Sequence, residues 1–413
     1  MDRRYLLPLI TVLVLALGAG GGLLYRKYLL GIAPALSVPG FGLTGAIALR
    51  GLPFSYPREF DLQVFAEGLD GPRVIAFDAA GTMLVSMPSA GMVAALPDAD
   101  ADGRADRIVP VAQGLNRPHG IAFRCEADEC RLYIAETDRV RVFDYDRNSF
   151  QARNGRTLVD LPGGGRHVTR TLLFLPPPAQ DKLLVAVGSS CDACVEEDWR
   201  RAKILLAEDE GKLRTFAAGL RNAVFMRVHP ETKEVWATEM GRDFLGDDLP
   251  PDEINIIREG HDYGWPSCYG RNLPDREFAP AEGTASCRGK TPSHIDIQAH
   301  SAPLGLDFFP FRGWPEKYQG NLLVAFHGSW NRSTPTGYKI SLFRFAEGGE
   351  YIGQEDFITG WLTGESSSRG RPVDVRIMAD GVLYISDDKA GVIYRMNLKK
   401  GDSPAPPSGG RGD

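Results

Sequence analysis

The sequence predicts an all-β fold, a six-bladed β-propeller. A two-stranded unit, made of an apolar run, a turn and a second apolar run, occurs six times in the 413-residue chain. Each copy alternates apolar and polar residues around its turn, which is typical of a hairpin that buries one face. The copies are spaced widely enough for four strands each, and a ring of four-stranded blades leaves few exposed sheet edges. A β-solenoid would need shorter and stricter repeats.

The copies follow one another from Pro72 almost to the end of the chain. In order they are PRVIAFDAAGTMLVSM from Pro72, PHGIAFRCEADECRLYIAET from Pro118, TRTLLFLPPPAQDKLLVAVG from Thr169, AVFMRVHPETKEVWATEM from Ala223, PLGLDFFPFRGWPEKYQGNLLVAFHG from Pro303 and PVDVRIMADGVLYISDD from Pro372. They predict that the propeller occupies residues 61–399.

Residues 1–27 carry the pattern of a membrane-targeting segment. Two arginines precede the uncharged run Tyr5–Tyr25, and Arg26 and Lys27 follow it. A run of this length and composition indicates a transmembrane helix or a signal helix. No clear cleavage site follows, so we expect an uncleaved anchor in the inner membrane and a propeller that faces the periplasm. Secretion to the periplasm after signal cleavage is the alternative.

The composition indicates a linker and a tail at the two ends of the propeller and limits the kinds of partner. Residues 28–60, rich in Leu, Gly and Pro, predict a linker, and the Pro/Gly/Ser-rich residues 400–413 predict a disordered tail. The formal net charge is −6, and no basic run follows the N-terminal segment. This composition argues against a nucleic-acid partner.

The six cysteines fall into three pairs that are close in sequence. Behind an export segment, an even count with local pairing predicts disulfides. The CDAC pair could instead be a redox motif or half of a zinc site. The predicted disulfides are Cys125–Cys130, Cys191–Cys194 and Cys268–Cys287.

An acidic stretch after the first repeat is a candidate calcium site. Asp98, Asp100 and Asp102 alternate along the chain and Gly103 follows, as in the first half of a calcium-binding loop. The glutamate expected at the twelfth position is replaced by Val109. A solvated turn between strands explains the same pattern.

In a propeller, the residues just before the innermost strands surround one end of the central channel. A histidine suits proton abstraction near neutral pH, and an arginine suits a carboxylate or a developing negative charge. Each such residue can also be a surface side chain beside a strand. Two positions before the repeat starts lie Asp70, Asn116, His167, Arg221, Ser301 and Gly370, and within one residue of a start lie His119, Arg170, Asn222 and Arg371.

Several motifs resemble those of a known family. GLRN at Gly219–Asn222 and DEINIIREGHDYGWP at Asp252–Pro266 resemble stretches of soluble quinoprotein glucose dehydrogenase. PHGIAF, GSSCDAC, HGSWNR and GRPVDV are more similar still to the sorbosone-dehydrogenase type. The resemblance covers roughly residues 60–398. It implies a six-bladed propeller that binds pyrroloquinoline quinone (PQQ) and Ca²⁺ on its axis. The implied reaction is oxidation of an aldose or sugar aldehyde by hydride transfer, with electrons passed to a respiratory acceptor.

The resemblance also implies roles for individual residues. His167 matches the general base, and Arg221 and Asn222 match cofactor contacts, with Arg221 also stabilising charge on the quinone oxygen. Gly241 and Arg242 match a pair whose backbone carbonyls hold calcium.

Further cofactor contacts are expected around the channel. Arg369 and Arg371 match arginines that bind the cofactor carboxylates. The family's lysine falls near Gly328, where this chain has none, and Arg332 is the candidate replacement. Their positions around the start of the second repeat add Asn116 and His119 to the cofactor site.

Two other functions fit a propeller of this kind. A non-catalytic propeller could bind an envelope partner or glycan. A calcium-dependent lactonase needs several carboxylates and an asparagine on the axis, and only Asp70 and Asn116 match that requirement.

Overall fold

The structure, a computed structural model, describes residues 52–399 except 127–128, 209–210, 280–285 and 365–366. The predicted N-terminal helix, most of the predicted linker and the predicted tail lie outside these residues. Within them, no helix is both long and apolar enough to cross a membrane.

Six four-stranded antiparallel sheets form the blades, which confirms the predicted six-bladed propeller. Blade 1 contains β2 (Ile75–Phe77), β3 (Met83–Met87), β4 (Met92–Leu96) and β5 (Val109–Ala112), and blade 2 contains β6 (Ile121–Glu126), β7 (Glu129–Ala135), β8 (Arg139–Asp146) and β9 (Gln151–Asp160). Blade 3 contains β10 (Arg170–Phe174), β11 (Leu183–Val187), β12 (Lys203–Ala207) and β13 (Leu213–Ala218).

Blade 4 is interrupted by an insertion. It contains β14 (Ala223–Val228), β15 (Val235–Glu239), β16 (Asp252–Ile257) and β19 (Ile295–Ile297), and the inserted hairpin contains β17 (Cys268–Tyr269) and β18 (Leu273–Pro274). Blade 5 contains β20 (Pro303–Phe308), β21 (Leu322–Phe326), β22 (Lys339–Phe345) and β23 (Tyr351–Ile358).

Blade 6 closes the ring with the two ends of the propeller domain. It contains β24 (Pro372–Ile377), β25 (Val382–Asp387), β26 (Val392–Leu398) and, as its outermost strand, β1 (Phe60–Ala66). β1 pairs antiparallel with β26, with Phe60 opposite Leu398. Because the first strand completes the last blade, the sheet hydrogen bonds hold the circle closed.

Burial falls from the centre of each blade to its rim. In β3, β11, β15 and β21 every residue is buried, because neighbouring blades cover both faces of these strands. The outermost β9 and β23 are largely exposed. The alternating and continuous apolar runs of the repeats therefore correspond to strands covered on one face or on two.

All three predicted disulfides are present, which confirms the pairing. Cys125–Cys130 joins paired residues of β6 and β7. Cys191–Cys194 closes a short loop between β11 and β12, and Cys268–Cys287 ties the inserted hairpin to the following segment.

Candidate active site

A cavity of about 230 Å³ opens at the end of the propeller where the innermost strands begin. His167 precedes β10, and Arg221 and Asn222 precede β14, so the repeat geometry brings these predicted residues together. The cavity is lined by Arg166, His167, Arg221, Asn222, Met240, Gly241, Asp243, Asp252, His300, Ala302, Trp330 and Asn331.

His167 is held in a partly buried position with its ring against Ser189. Its Nδ1 lies 2.8 Å from Ser189 Oγ. Burial lowers the pKa of His167 to about 3, and the positive charges of Arg221 and Arg166 act in the same direction. The fully buried Arg170 donates to His167 O at 2.9 Å and so fixes the chain beside it. His167 is therefore a neutral imidazole at physiological pH.

Arg221 is buried and fixed through all three of its nitrogens. Nε donates to Asp192 O at 2.7 Å, Nη2 to Asp192 Oδ1 at 2.6 Å and Nη1 to Met240 O at 3.1 Å. Asp243 Oδ2 is 3.6 Å from Nη2. Burial pushes the pKa of Asp192 up, but the charge of Arg221 and the hydrogen bonds from Arg221 and Asp243 together outweigh it and keep that pKa below its usual value. Arg221 is thus a rigid cation that still has N–H groups for a ligand.

Asn222 and His167 both pack closely against Gly188. The backbone N–H of Asn222 donates to Glu239 Oε1 at 2.8 Å. A Cβ at Gly188 would lie 2.6 Å from His167 Cβ and 2.7 Å from Asn222 Oδ1. No residue with a side chain fits there without moving one of these neighbours, so Gly188 permits their close approach.

The sequence interpretation did not assign Asp243, Asp252 or His300 to the site, yet all three line the cavity. Burial raises the pKa of Asp243 to about 7, and burial also raises that of Asp252 to about 7. Asp243 accepts hydrogen bonds from Arg166 at 2.6 Å and from Asn331 at 2.7 Å. The acidic DEIN motif could have identified Asp252 from the sequence. Asp243 and His300 lie in loops, and a loop position alone does not indicate a site residue.

The surroundings of Gly241 suit a hard cation. Asp252 Oδ1 accepts from the N–H of Gly241 at 3.0 Å, and the buried Asn331 Oδ1 has no hydrogen-bond partner. The Arg242 guanidinium donates to Asp275 at 3.0 Å and to Glu277 at 2.8 Å. The Arg242 side chain is therefore engaged in these ion pairs. The oxygen-rich lining of the cavity fits the ligand preference of calcium.

A second cavity of about 300 Å³ opens at the same end, beside blades 1, 2, 3 and 6. His119 lines it and is 1% exposed, and its buried Nε2 has no hydrogen-bond partner. Its Nδ1 lies 3.2 Å from Arg170 O. Burial, with the charge of Arg73, lowers the pKa of His119 well below its usual value. Arg73, which also lines the cavity, was not assigned to the site from the sequence.

Arg371 is fixed next to this second cavity. It donates to His327 O at 2.9 Å and to Gly328 O at 2.6 Å, and its guanidinium lies over the ring of Tyr338. Asp388 connects the neighbouring groups, since it accepts from Arg73 at 2.6 Å and lies 2.9 Å from His327 Nε2.

The other predicted cofactor residues lie at the rim or in nearby loops. Arg369 and Asn116 are exposed, and the backbone N–H of Asn116 donates to Glu136 at 2.5 Å. The Arg332 guanidinium donates to the carbonyls of Asp247 and Ala299.

The three aspartates of the acidic stretch are close in space. Oxygens of Asp98, Asp100 and Asp102 lie within 4.8 Å of one another. Asp98 also accepts from the backbone N–H groups of Asp102 and Gly103, both at 3.1 Å. Burial, followed by the charges of Asp102 and Asp100, raises the pKa of Asp98. The calcium prediction for this turn stays a prediction.

Aromatic side chains border the first cavity. Trp330 lines it and is 37% exposed, and Phe244 is 36% exposed. Their rings meet edge to face at 5.7 Å between centroids. The guanidinium of Arg166 lies 5.5 Å from the centroid of the Trp330 ring. An aromatic border of this kind is suited to the apolar face of a small ring-shaped ligand.

Fold and site together define a class of protein: a six-bladed propeller with a neutral histidine and a fixed arginine beside one axial cavity. The chain belongs to the TrAA12-like family, whose model matches residues 54–399. The family resemblance inferred from the motifs is thereby confirmed.

Three relatives illustrate the similarity. An uncharacterized protein of Borreliella burgdorferi is 28% identical over 359 residues, which cover 83% of this chain and 90% of that protein. A PQQ-dependent sugar dehydrogenase of Hypocrea jecorina is 27% identical over 326 residues, covering 65% and 72%. A PQQ-dependent pyranose dehydrogenase of Coprinopsis cinerea is 24% identical over 405 residues, covering 81% of this chain and 53% of that protein. The alignment therefore spans about half the length of the Coprinopsis protein.

Solved structures share the fold. The calcium structure of a Trichoderma reesei enzyme of family AA12 superposes with a TM-score of 0.72 at 22% identity, covering 84% of this chain and 97% of that one. The holo PQQ domain of Coprinopsis cinerea pyranose dehydrogenase gives 0.71 at 22% identity, covering 83% and 97%.

Proposed function

We propose that the protein is a PQQ-dependent dehydrogenase that oxidises a hydroxyl group of a sugar or sugar aldehyde. The observation that carries the proposal is one cavity lined by a neutral histidine, His167, and a fixed cation, Arg221. Membership of the TrAA12-like family and the names of the fungal relatives support the same reaction.

His167 acts as the general base. Oxidation of an alcohol to a carbonyl requires loss of the hydroxyl proton as well as of hydrogen from carbon, and a neutral imidazole can accept that proton. The low pKa of His167 keeps the imidazole neutral before the substrate binds. PQQ, when bound, supplies the oxidant that takes hydride from the substrate carbon.

Arg221 and Asn222, which line the cavity, are the residues that would contact the cofactor. The guanidinium is already desolvated and held by Asp192 and Met240, so little reorganisation is needed to stabilise added negative charge. The backbone carbonyls of Gly241 and Arg242 are assigned to Ca²⁺, with the carboxylates of Asp243 and Asp252 close by.

The carboxylates of the cofactor are assigned to Arg371 and Arg73, with the exposed Arg369 at the rim. Arg73 and Arg371 lie in neighbouring blades near the common anion Asp388. Arg332 stays the candidate for the position of the missing lysine, and Arg73, which lines the second cavity, is proposed beside it. Asn116 and His119 complete the cofactor site on the blade 2 side.

The substrate is a pyranose or a sugar aldehyde of the sorbosone type. Trp330 and Phe244 offer aromatic surface at the mouth of the cavity, where the C–H face of a sugar ring can stack. Arg166 beside Trp330 offers hydrogen-bond donors for sugar hydroxyls.

Reconstitution tests the proposed function. Purified protein with PQQ and Ca²⁺ should show a change in cofactor absorbance and should reduce a dye with some members of a panel of aldoses and sorbosone. His167→Gln should abolish turnover and retain cofactor binding. Neither absorbance change nor dye reduction in the wild type would overturn the proposal. Lactone hydrolysis that survives quinone removal but not chelation would point to a hydrolase instead.

We further propose that the enzyme faces the periplasm, tethered to the inner membrane by residues 1–27, and that it passes electrons to a respiratory acceptor. The disulfides support an oxidising compartment. Fractionation of cells that express the full chain should find the protein in the membrane fraction, and protease added to spheroplasts should digest it.

A further inference from the structure

The loop closed by the Cys191–Cys194 disulfide contacts both residues to which we assign chemistry. It follows β11 and belongs to blade 3, as does His167. At its start Ser189 lies against the His167 ring, and between the two cysteines Asp192 binds Arg221 of the next blade. The loop therefore contacts both the candidate base, His167, and the candidate cation, Arg221.

The hydrogen bonds of Ser189 determine which ring nitrogen of His167 carries the hydrogen. A serine hydroxyl has one hydrogen, and Ser189 Oγ donates it to Cys191 O at 2.7 Å. His167 Nδ1 lies 2.8 Å from the same oxygen, so here the oxygen accepts and Nδ1 donates. Ser189 O, 3.2 Å from Nδ1, can only accept and favours the same arrangement.

A neutral imidazole carries one hydrogen, so a hydrogen on Nδ1 leaves the lone pair on Nε2. His167 is neutral because burial lowers its pKa to about 3. With Nδ1 turned toward Ser189, Nε2 is the nitrogen available to take a substrate proton. The opposite tautomer would present an N–H at Nε2 and could not act as a base there.

We propose that the disulfide-closed loop sets the tautomer of His167, with Ser189 as the positioning residue and Cys191 O as the group that orients its hydroxyl. This inference rests on the proposed function for its catalytic meaning, but the tautomer itself does not depend on it.

The loop is anchored on each side of the Cys191 carbonyl. Before it, Ser189 is fully buried and its N–H donates to Arg221 O at 2.7 Å, while Ser190 O accepts from Arg166 N at 2.7 Å. After it, Asp192 accepts from Arg221 through its backbone and its carboxylate. The disulfide closes residues 191–194 into a ring that contains Asp192, which restricts the directions that Cys191 O can take.

Nitrogen-15 NMR of histidine-labelled protein tests the inference without cofactor or substrate. Couplings between the ring nitrogens and carbon-bound hydrogens report which nitrogen is protonated, and the His167 signals are those absent from His167→Gln. The wild type should show hydrogen on Nδ1. Ser189→Ala and the double variant Cys191→Ser/Cys194→Ser should gain the Nε2–H form.

The matched control is Cys125→Ser/Cys130→Ser, which removes a disulfide far along β6 from the site and should keep the wild-type tautomer. In the reconstituted enzyme, Ser189→Ala should lower kcat by about 100-fold, with little change in PQQ affinity, because an Nε2 that already carries a hydrogen cannot accept the substrate proton.

Two results would overturn the inference. One is an Nε2–H signal for His167 in the wild type, and the other is an unchanged tautomer in folded Ser189→Ala. Should the double cysteine variant fail to fold, Ser189→Ala alone decides. Absence of PQQ binding and turnover in the wild type would overturn the proposed function and leave the NMR result standing, so the two failures are distinguishable.

Discussion

At the level of single residues, Arg221 shows how a site residue depends on geometry as well as charge. Its three nitrogens donate to two acceptors of Asp192 and to Met240 O. A lysine keeps the charge but cannot reproduce this planar set of donors. We therefore expect Arg221→Lys to lower kcat/KM for sugar oxidation by about 100-fold, as measured by dye reduction.

A matched lysine substitution tests whether geometry is the cause. Arg124→Lys changes a partly exposed arginine that pairs with Glu126 at 2.9 Å, and it should leave kcat/KM near the wild-type value. Equal losses in both variants would show that the effect is not local to the site.

Gly188 is the residue whose lack of a side chain matters most near His167. A Cβ there would lie 2.6 Å from His167 Cβ, which forces the histidine or the strand end to move. Gly188→Ala should lower kcat by about 100-fold by displacing the base. Gly348→Ala is the control, because its Cβ would meet nothing within 4 Å. Full activity in Gly188→Ala would contradict the close packing of Gly188 against His167.

Among the structural elements, β1 is especially important for stability because it closes the ring. Phe60, in β1, is fully buried, and its ring centroid lies 5.5 Å from those of Tyr318 and Phe357. Phe60→Ala should reduce the free energy of unfolding by about 3–5 kcal/mol, as expected for removal of a core phenylalanine. Chemical denaturation followed by tryptophan fluorescence measures it.

An exposed apolar residue on another outermost strand provides the comparison. Ile352 in β23 is 63% exposed, so Ile352→Ala should change the free energy of unfolding by no more than about 0.5 kcal/mol. If Phe60→Ala lost no more stability than Ile352→Ala, ring closure by β1 would contribute little to the free energy of unfolding.

For the whole molecule, buried neutral histidines link stability to pH. Burial lowers the folded-state pKa of His167 to about 3 and that of His327 to about 4, from the usual histidine value of 6.5. Between these values and 6.5 the unfolded chain binds more protons than the folded one. The stability that these two histidines contribute is therefore fully present above pH 6.5 and falls as the pH is lowered through their folded pKa values, whereas Asp243 and Asp252, whose pKa burial raises to about 7, contribute in the opposite direction.

Each of these histidines should contribute a slope of up to about 1.4 kcal/mol per pH unit below its unfolded pKa. Urea denaturation of the wild type and of His327→Gln between pH 7 and pH 4, roughly the window that these pKa values define, isolates the histidine contribution, because the buried carboxyl groups titrate in both proteins. On acidification His327→Gln should lose less stability than the wild type, by one such contribution. A stability difference between the two proteins that stays constant across the window would contradict the buried, neutral state of His327.

Much of the fold was predictable because it depends on local patterns. Six hairpin units, their turns and the close spacing of the cysteine pairs are all features of short segments, and the structure has the six blades and the three disulfides. Closure of the ring through β1 was not predicted, because pairing between Phe60 and Leu398 joins opposite ends of the propeller.

The candidate site was predictable only in part, because some of its contacts join segments that are far apart in the sequence. The repeat phase placed His167, Arg221 and Asn222 together, since equivalent positions in neighbouring blades face one channel. Asp243 has no repeat position that marks it and reaches its cavity through a loop. Arg73 lies one residue after the start of the first repeat, the position of His119 and Arg170 in theirs, and was overlooked. The pairing of Arg332 with the carbonyls of Asp247 and Ala299 likewise depends on how separate loops pack.

The chain's local chemistry thus determined the repeat, the blade count, the disulfides and the histidine and arginine at the channel end. Packing decided their chemical state. Burial makes His167 neutral, Asp192 holds Arg221, and Ser189 turns toward the Cys191 carbonyl. Desolvation and hydrogen-bond direction depend on every neighbour in three dimensions, so no single stretch of sequence specifies them.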